Sequence, residues 1–307
     1  MISDALLAAF GLGLFALLLT AALSPLETLS WWAGWTEEEL DETTPPPPNP
    51  DSKSRRYIVY LSGVASLSGE FLLPRERSFI RKLHKRFPDA VIVSDVFPYS
   101  PNGMPLLETP RLFDRIWRRA QILKLRERES LFHTLINLRN IFQVMVSADH
   151  RYGPIFNQGA ANVIETALME DGYHRGSGAP VIIIGYSGGA QVAVGAAAFL
   201  KARLNAPIDV ISLGGVLASD PGLHYVRKLH HITGDKDNIE RVGAVIFPDR
   251  WKLMGYSDWN AGKKDGRIEI HRLANMSHAG VKGYFGRPSV NGVSNAERTL
   301  AKIAELI

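Results

Sequence analysis

Three residues of the sequence could together activate a hydroxyl group for nucleophilic attack. Ser187 is the centre of the run GYSGG, Asp237 ends the run GDKD, and His278 is the second residue of SHAG. A serine hydroxyl is a weak nucleophile at neutral pH, so it needs a neutral imidazole to take its proton and a buried carboxylate to fix that imidazole's tautomer. The types and chain order of these residues predict a nucleophilic serine, with His278 as its base and Asp237 as the acid that orients the base.

The residues around Ser187 predict a sharp turn between a buried strand and a closely packed helix. The run VIII at residues 181–184 is typical of a strand buried on both faces, and the small residues at 190–198 suit a helix close to the sheet. Between them lies G-x-S-x-G, the pattern of a nucleophile elbow, whose flanking glycines are needed because a Cβ would collide with neighbouring backbone. The alternative is a glycine-rich turn that binds a phosphate or nothing.

Further apolar runs predict the sheet that would bring the three residues together. The predicted strands cover residues 57–62, 90–93, 208–213, 229–233 and 267–273. Segments of helix length separate them, which favours an α/β fold with a doubly wound, mostly parallel sheet of about six strands. Ligands gather at the carboxyl ends of such strands, and that is where Ser187, Asp237 and His278 are expected.

The predicted chemistry also needs amide groups that stabilise an oxyanion. Gly188 follows the nucleophile at the start of a helix, so its amide is one candidate; Gly63 or Val64, in the small loop after the first strand, would supply the second. Asp220, in the run SDP after the preceding strand, is an alternative acid.

The remaining histidines have other interpretations. We interpret the histidines within strands, His230, His231 and His271, as core or surface residues. Asp149 and His150 have no further ligand at metal-binding spacing, and we expect neither a cofactor nor a metal site.

The chain resembles the α/β-hydrolase superfamily at these positions. The resemblance rests on GYSGG at 185–189, GDKD at 234–237 and SHAG at 277–280. It covers most of residues 56–306 and implies a nucleophilic serine, an acid after the second strand beyond the elbow, and a histidine after the last strand. Ser187, Asp237 and His278 occupy those places. Two departures are the missing opening antiparallel strands and a long insert, residues 98–153, after the second strand.

Composition and charge describe the rest of the chain. The 307 residues include no cysteine, which excludes disulfides and thiolate metal sites. Residues 1–25 contain an uncharged run of the length that spans a bilayer, so we expect a single N-terminal transmembrane anchor; a signal peptide would carry a basic start. Residues 26–54, acidic and then proline-rich, predict an interfacial segment and a tether, which leaves 55–307 as the hydrolase domain.

The charge distribution and the insert at residues 98–153 indicate what the protein could bind. Residues 1–50 contain seven acidic and no basic residues, so the rest of the chain has a formal charge of +11. That basic body would sit well against anionic lipid and favours the cytoplasmic face of a membrane; no motif indicates nucleic acid. Two helical patterns in the insert, residues 111–128 and 131–146, predict either a lid or a hairpin packed on the domain.

These features together predict a membrane-anchored serine hydrolase that cleaves an ester, with a lipid or acyl ester as the expected substrate. A thioesterase or an amidase would use the same three residues. A catalytically silent, membrane-tethered binding or scaffold protein of the same fold is the remaining alternative.

Overall fold

A computed structural model provides the structure of the chain. It describes residues 56–66, 72–100, 131–287, 289–290 and 292–307, together with residues 11, 15, 18, 19 and 23. Apart from those five positions, the predicted anchor and tether lie outside the described residues, as does the predicted helix over 111–128. Among the helices that are described, none is both long enough and apolar enough to cross a membrane.

A six-stranded, fully parallel sheet forms the centre of the fold. Its strands are β1 (Arg56–Leu61), β2 (Ala90–Val93), β3 (Val181–Tyr186), β4 (Ile208–Leu213), β5 (Lys228–Gly234) and β6 (Ile268–Leu273). The strand order is β2-β1-β3-β4-β5-β6. The predicted strands agree with these bounds within one or two residues, because β-branched runs buried on both faces are a strong local signal. A short antiparallel pair, β7 (Ser289–Val290) and β8 (Val293–Ser294), lies near the C-terminus.

Helices cover both faces of the sheet. They are α1 (Pro74–Arg86), α2 (Leu131–Ala148), α3 (Gly153–Glu170), α4 (Gly188–Leu204), α5 (Asn238–Ile246), α6 (Asp258–Lys264) and α7 (Asn295–Leu306). One apolar cluster joins α3, α4 and α6 to the sheet, and a second joins α1 and α7 to the opposite face. The predicted doubly wound α/β architecture is therefore confirmed.

The strand order reverses between β1 and β3, and this reversal positions the candidate site. After β1 the chain crosses to β2 on one side, then returns to place β3 on the other side of β1. The loops that follow β1 and β3 therefore meet at the same edge of the sheet, where the reversal opens a crevice. This parallel order with a sharp turn after β3 fits the α/β-hydrolase fold.

The second helix of the predicted insert packs on the domain. Helix α2 contacts α3 and α4, and its polar residues Arg139, Asn140 and Gln143 are buried. This half of the insert therefore packs on the domain, whereas the other predicted helix of the hairpin, over 111–128, lies outside the described residues.

Candidate active site

Ser187 occupies a strained turn between β3 and α4. Its backbone has φ 54° and ψ −124°, a region that a residue with a side chain rarely adopts. A Cβ added to Gly185 would lie 2.4 Å from the Cα of Ala190, and one added to Gly189 would lie 2.6 Å from the carbonyl oxygen of Ser62. The glycines are therefore required by contacts with the next helix and with the end of β1, as the sequence pattern predicted.

The structure brings Ser187, His278 and Asp237 into one line of hydrogen bonds. Ser187 Oγ is 2.9 Å from His278 Nε2, and His278 Nδ1 is 3.0 Å from each carboxylate oxygen of Asp237. An ionised carboxylate can only accept, so Nδ1–H is the donor and Nε2 is left to accept the Ser187 hydroxyl proton. The predicted tautomer follows directly from this geometry.

Two groups besides His278 hold Asp237. Its side chain caps α5 by accepting from the amide of Glu240 at 3.0 Å, and its Oδ2 accepts the Tyr284 hydroxyl at 2.7 Å. Burial alone would raise the Asp237 pKa, but the bonds from His278, Glu240 and Tyr284 outweigh burial and lower it. The carboxylate therefore stays charged and oriented at neutral pH.

Tyr186 fixes the backbone and ring of His278. The two rings stack with their centroids 5.5 Å apart, and the Tyr186 hydroxyl donates to the carbonyl oxygen of His278 at 2.9 Å. The residue before the nucleophile therefore also holds the imidazole, although G-x-S-x-G leaves its type open.

Asp220, the alternative acid, does not reach His278. Its carboxylate accepts from Gln191 Nε2 at 2.8 Å and from the amide of Gly222 at 2.7 Å. Burial raises its pKa to about 6, although those two bonds oppose the shift. Asp220 begins a short 3-10 helix, Pro221–His224, and acts there as a cap.

The loop after β1 lies beside the nucleophile turn. A Cβ added to Gly188 would lie 2.9 Å from Val64 Cγ1, and one added to Gly63 would lie 3.4 Å from Ser187 Cβ. Gly188 is the first residue of α4, so its amide has no acceptor within that helix. All three predicted oxyanion residues are therefore grouped next to Ser187.

Helix α2 clamps this loop through a side chain that sequence reasoning missed. Asn140 Nδ2 donates to the carbonyl oxygens of Val64, at 2.8 Å, and Ser66, at 3.0 Å. Asn140 Oδ1 in turn accepts from Arg139 at 3.1 Å. Because carbonyl and amide alternate along the backbone, holding these two carbonyls also fixes the direction of the neighbouring amides.

A second hydrogen-bonded series of a serine, a histidine and a carboxylate lies in the interior, between β4, β5 and α5. Ser212 Oγ is 2.9 Å from His231 Nδ1, and His231 Nε2 is 3.1 Å from Glu240 Oε1, which also pairs with Arg250 at 3.0 Å. Ser212 and His231 have no exposed surface, so no substrate could reach them. These hydrogen bonds form a buried structural network. The network supports α5, whose first turn is capped by Asp237.

A cleft of about 520 Å³ opens over Ser187 and His278. Its walls come from the loop after β1, the start of α1, Asn137 of α2 and residues 278–285. Most of its lining is apolar or glycine, with Leu73, Tyr284 and Phe285 among the larger side chains.

Glu76 is an unexpected acid in the wall of this cleft. It is 2% exposed, and Tyr60 donates to its Oε2 at 3.1 Å. Burial raises its pKa to about 7, against a smaller lowering by the Tyr60 hydrogen bond. Nothing in the local sequence around Glu76 distinguishes it from an exposed acid in the first turn of a helix.

One cluster of possible metal ligands lies away from the cleft. Within the described part of the chain, donor atoms of His230, Glu269 and His271 all lie within 4.8 Å of one another. Both histidines were expected to be core or surface residues, and their proximity to Glu269 was not predicted from the sequence.

Comparisons with known proteins leave the family open. No protein-family model matches the chain, and no curated protein matches it either. Among solved structures, a SOBER1 variant from Arabidopsis thaliana is 16% identical with a TM-score of 0.40, over 81% of this chain and 96% of that one. TT1662 from Thermus thermophilus is 16% identical with a TM-score of 0.36, over 85% and 90% of the two chains. At these identities and TM-scores the two structures indicate no activity for this chain.

Proposed function

We propose that this protein is a serine hydrolase that cleaves an acyl ester through an acyl-enzyme on Ser187. The observation that carries the proposal is the unbroken line from Ser187 Oγ to His278 Nε2 and from His278 Nδ1 to Asp237, at 2.9 and 3.0 Å. The strained backbone of Ser187 supports it, because strain of this kind persists where the surrounding structure holds a nucleophile in place.

The proposed reaction has two halves that use the same groups. His278 Nε2 takes the Ser187 hydroxyl proton as Oγ bonds to the ester carbonyl carbon. The amides of Gly188 and Val64 stabilise the resulting oxyanion, with Gly63 as the neighbouring donor. The bond to the leaving alkoxide then breaks, and His278 returns the proton to that oxygen. In the second half, water gives its proton to His278 and attacks the acyl carbon, and Ser187 leaves with the proton restored.

The cleft supports an ester with an apolar acyl part as the substrate class. Most of its lining is apolar or aromatic, although Arg75 also lines it, and Glu76 has a raised pKa and is protonated over much of the range below neutral pH. An apolar wall with a few polar groups near the reacting atoms suits an acyl chain better than a charged one.

Hydrolysis of p-nitrophenyl acyl esters tests the proposal, with matched variants at two aspartates. Ser187→Ala should abolish turnover. Asp237→Asn should lower kcat by about 10⁴-fold, because the amide stabilises neither the needed tautomer nor the imidazolium. Asp220→Asn should retain activity within a few-fold, since the Asp220 carboxylate accepts hydrogen bonds from Gln191 and Gly222 and makes none to His278 in the described part of the chain. Turnover that survives Ser187→Ala, or a larger loss at Asp220 than at Asp237, would contradict the proposal.

We also propose that residues 1–25 anchor the enzyme in a membrane, with a lipid ester as a candidate substrate. The support is the uncharged N-terminal run and the formal +11 charge of residues 51–307, which suits the anionic cytoplasmic face. Fractionation of cells that express the full chain or the chain without residues 1–50 tests it. The full chain should pellet with membranes and the shortened chain should not; equal distribution of the two would contradict the anchor.

A further inference from the structure

A compact group of nitrogen and oxygen donors lies on the face of the sheet that packs against α7. Residues i and i+2 of a strand share one face, so Glu269 and His271 of β6 point to the same side. The register pairs His230 of β5 with Glu269 and brings all three side chains together. None of the three lines the cleft over Ser187, and the proposed hydrolysis uses none of them.

The separations of the donor atoms match those of ligands around one metal ion. His230 Nδ1 lies 3.1 Å from His271 Nε2 and 3.5 Å from Glu269 Oε2, and His271 Nε2 lies 3.8 Å from Glu269 Oε2. Two ligands about 2.0 to 2.1 Å from a tetrahedral ion are about 3.3 to 3.4 Å apart. An ion could therefore sit among the three atoms after shifts of only a few tenths of an ångström.

Neighbouring charges leave the facing oxygen of Glu269 available. Lys228 pairs with the other oxygen, Glu269 Oε1, at 2.5 Å, and it also donates to the carbonyl oxygen of Gly266 at 2.9 Å. Lys302, the cation of α7 that acts on His271, is itself paired with Glu305. Lys228 thus holds one oxygen of Glu269 and Lys302 is paired with Glu305, which leaves Glu269 Oε2 to face the two imidazoles.

The three side chains differ in exposure, which leaves the two histidines held by the sheet and gives an ion access from solvent. The side chain of His230 is 11% exposed and that of His271 is 20% exposed, whereas Glu269 is 44% exposed. The two imidazoles, which are mostly covered, are held by strands, and the more exposed carboxylate borders solvent, from which an ion and a water ligand can enter.

We propose that His230, Glu269 and His271 bind a divalent transition-metal ion of the Zn²⁺ class, with water as the fourth ligand. Two imidazoles and one carboxylate are a ligand set that Zn²⁺ accepts. Mg²⁺ and Ca²⁺ are disfavoured because they require more oxygen ligands than this group offers. The ion would join β6, the edge strand, to β5, at a place separate from Ser187.

Metal titration of the full chain, stripped with a chelator and dialysed, tests this proposal. Calorimetry with Zn²⁺ should show one saturable site per chain. His271→Ala and the conservative Glu269→Gln should each weaken the affinity by at least about 100-fold, more than the loss of an outer-shell partner does. Co²⁺ should give the strong visible absorption of a tetrahedral site, and this signal should disappear in both variants.

His224→Ala is the matched control. His224 is an exposed histidine with its own carboxylate neighbour, Asp258, at 2.6 Å, so its loss removes a similar pair that belongs to no three-residue group in the described chain. The affinity of the His224→Ala variant for Zn²⁺ should equal that of the wild type. Far-ultraviolet circular dichroism of the metal-free variants verifies that each is folded.

Three results would contradict the proposed metal site. They are the absence of saturable Zn²⁺ binding by the wild type, equal affinities in the wild type and in folded Glu269→Gln, and a weak octahedral Co²⁺ spectrum. The first would leave the two histidines as a simple hydrogen-bonded pair, and all three are independent of whether Ser187 is a nucleophile.

Discussion

Replacing Glu76 by Gln should change how the stability of the protein depends on pH. Glu76 is buried in the wall of the cleft, where Tyr60 donates to it and the hydroxyls of Tyr99 and Tyr186 are close enough to interact with its charge. Its ionised form is costly there because burial removes the hydration of the carboxylate, which is why its pKa is raised from 4.5 to about 7. Gln has nearly the same shape and cannot ionise.

The size and the sign of the effect follow from that pKa. Each tenfold change in the ionisation equilibrium is worth about 1.4 kcal/mol, so a pKa raised from 4.5 to about 7 corresponds to about 3 kcal/mol. The folded state holds the proton more tightly than the unfolded state does. The contribution of Glu76 is therefore fully present below pH 4.5 and is lost as the pH rises to about 7.

Urea unfolding of the full chain and of Glu76→Gln across this range measures the effect, since the difference between the two cancels every other titrating group. The wild type should lose about 3 kcal/mol of unfolding free energy relative to the variant between pH 4.5 and pH 7. Glu297→Gln is the control, because the Ser294 amide and hydroxyl and Lys82 lower the Glu297 pKa to about 2. Its contribution is lost only as the pH falls from 4.5 to about 2, so the difference between the wild type and this variant should stay nearly flat from pH 4.5 to pH 7. Parallel curves for wild type and Glu76→Gln would refute the reasoning.

Three other substitutions test the supports of the site. Asn140→Ala removes the hydrogen bonds that hold residues 63–66, so kcat for a p-nitrophenyl ester should fall by about 100-fold with little change in KM. An unchanged kcat would show that the loop keeps its conformation without Asn140. Tyr284→Phe removes a hydrogen bond to the charged acid of the site, and kcat/KM should fall by about tenfold; activity equal to that of the wild type would contradict the role. Glu240→Gln leaves the buried Arg250 without its charge partner and should cost about 3 kcal/mol in urea unfolding at neutral pH. This contribution should fade as the acid is protonated between pH 4.5 and about 2, because hydrogen bonds and charges from its partners outweigh burial and lower its pKa; a constant cost over that range would contradict it.

The core of the fold could be predicted because its signals are local. A continuous β-branched run marks β3, mostly apolar runs mark β1 and β4, and Gly185 and Gly189 mark the turn that holds Ser187. The sequence also predicted the order of Ser, Asp and His along the chain. Two aspartates each follow a strand, however, and only the neighbouring positions of β5 and β6 place Asp237, rather than Asp220, beside His278.

Other parts of the site depend on contacts that have no local sequence signal. Asn140 belongs to the insert, and its contact with the loop after β1 spans more than 70 residues of chain. The grouping of His230 with Glu269 and His271 depends on the register of β5 against β6, which hydrophobic pattern alone does not set. The sequence could have predicted part of this grouping, since Glu269 and His271 are two residues apart and therefore share a face of the strand.

The central claim is that Ser187 is a nucleophile activated by His278, and covalent labelling tests it most directly. A fluorophosphonate probe should modify the wild-type chain at one residue, which peptide mapping by mass spectrometry should identify as Ser187. His278→Ala should slow the labelling by orders of magnitude, because the base that takes the hydroxyl proton is gone. Labelling of another residue, no labelling of the folded wild type, or an undiminished rate in folded His278→Ala would contradict the account.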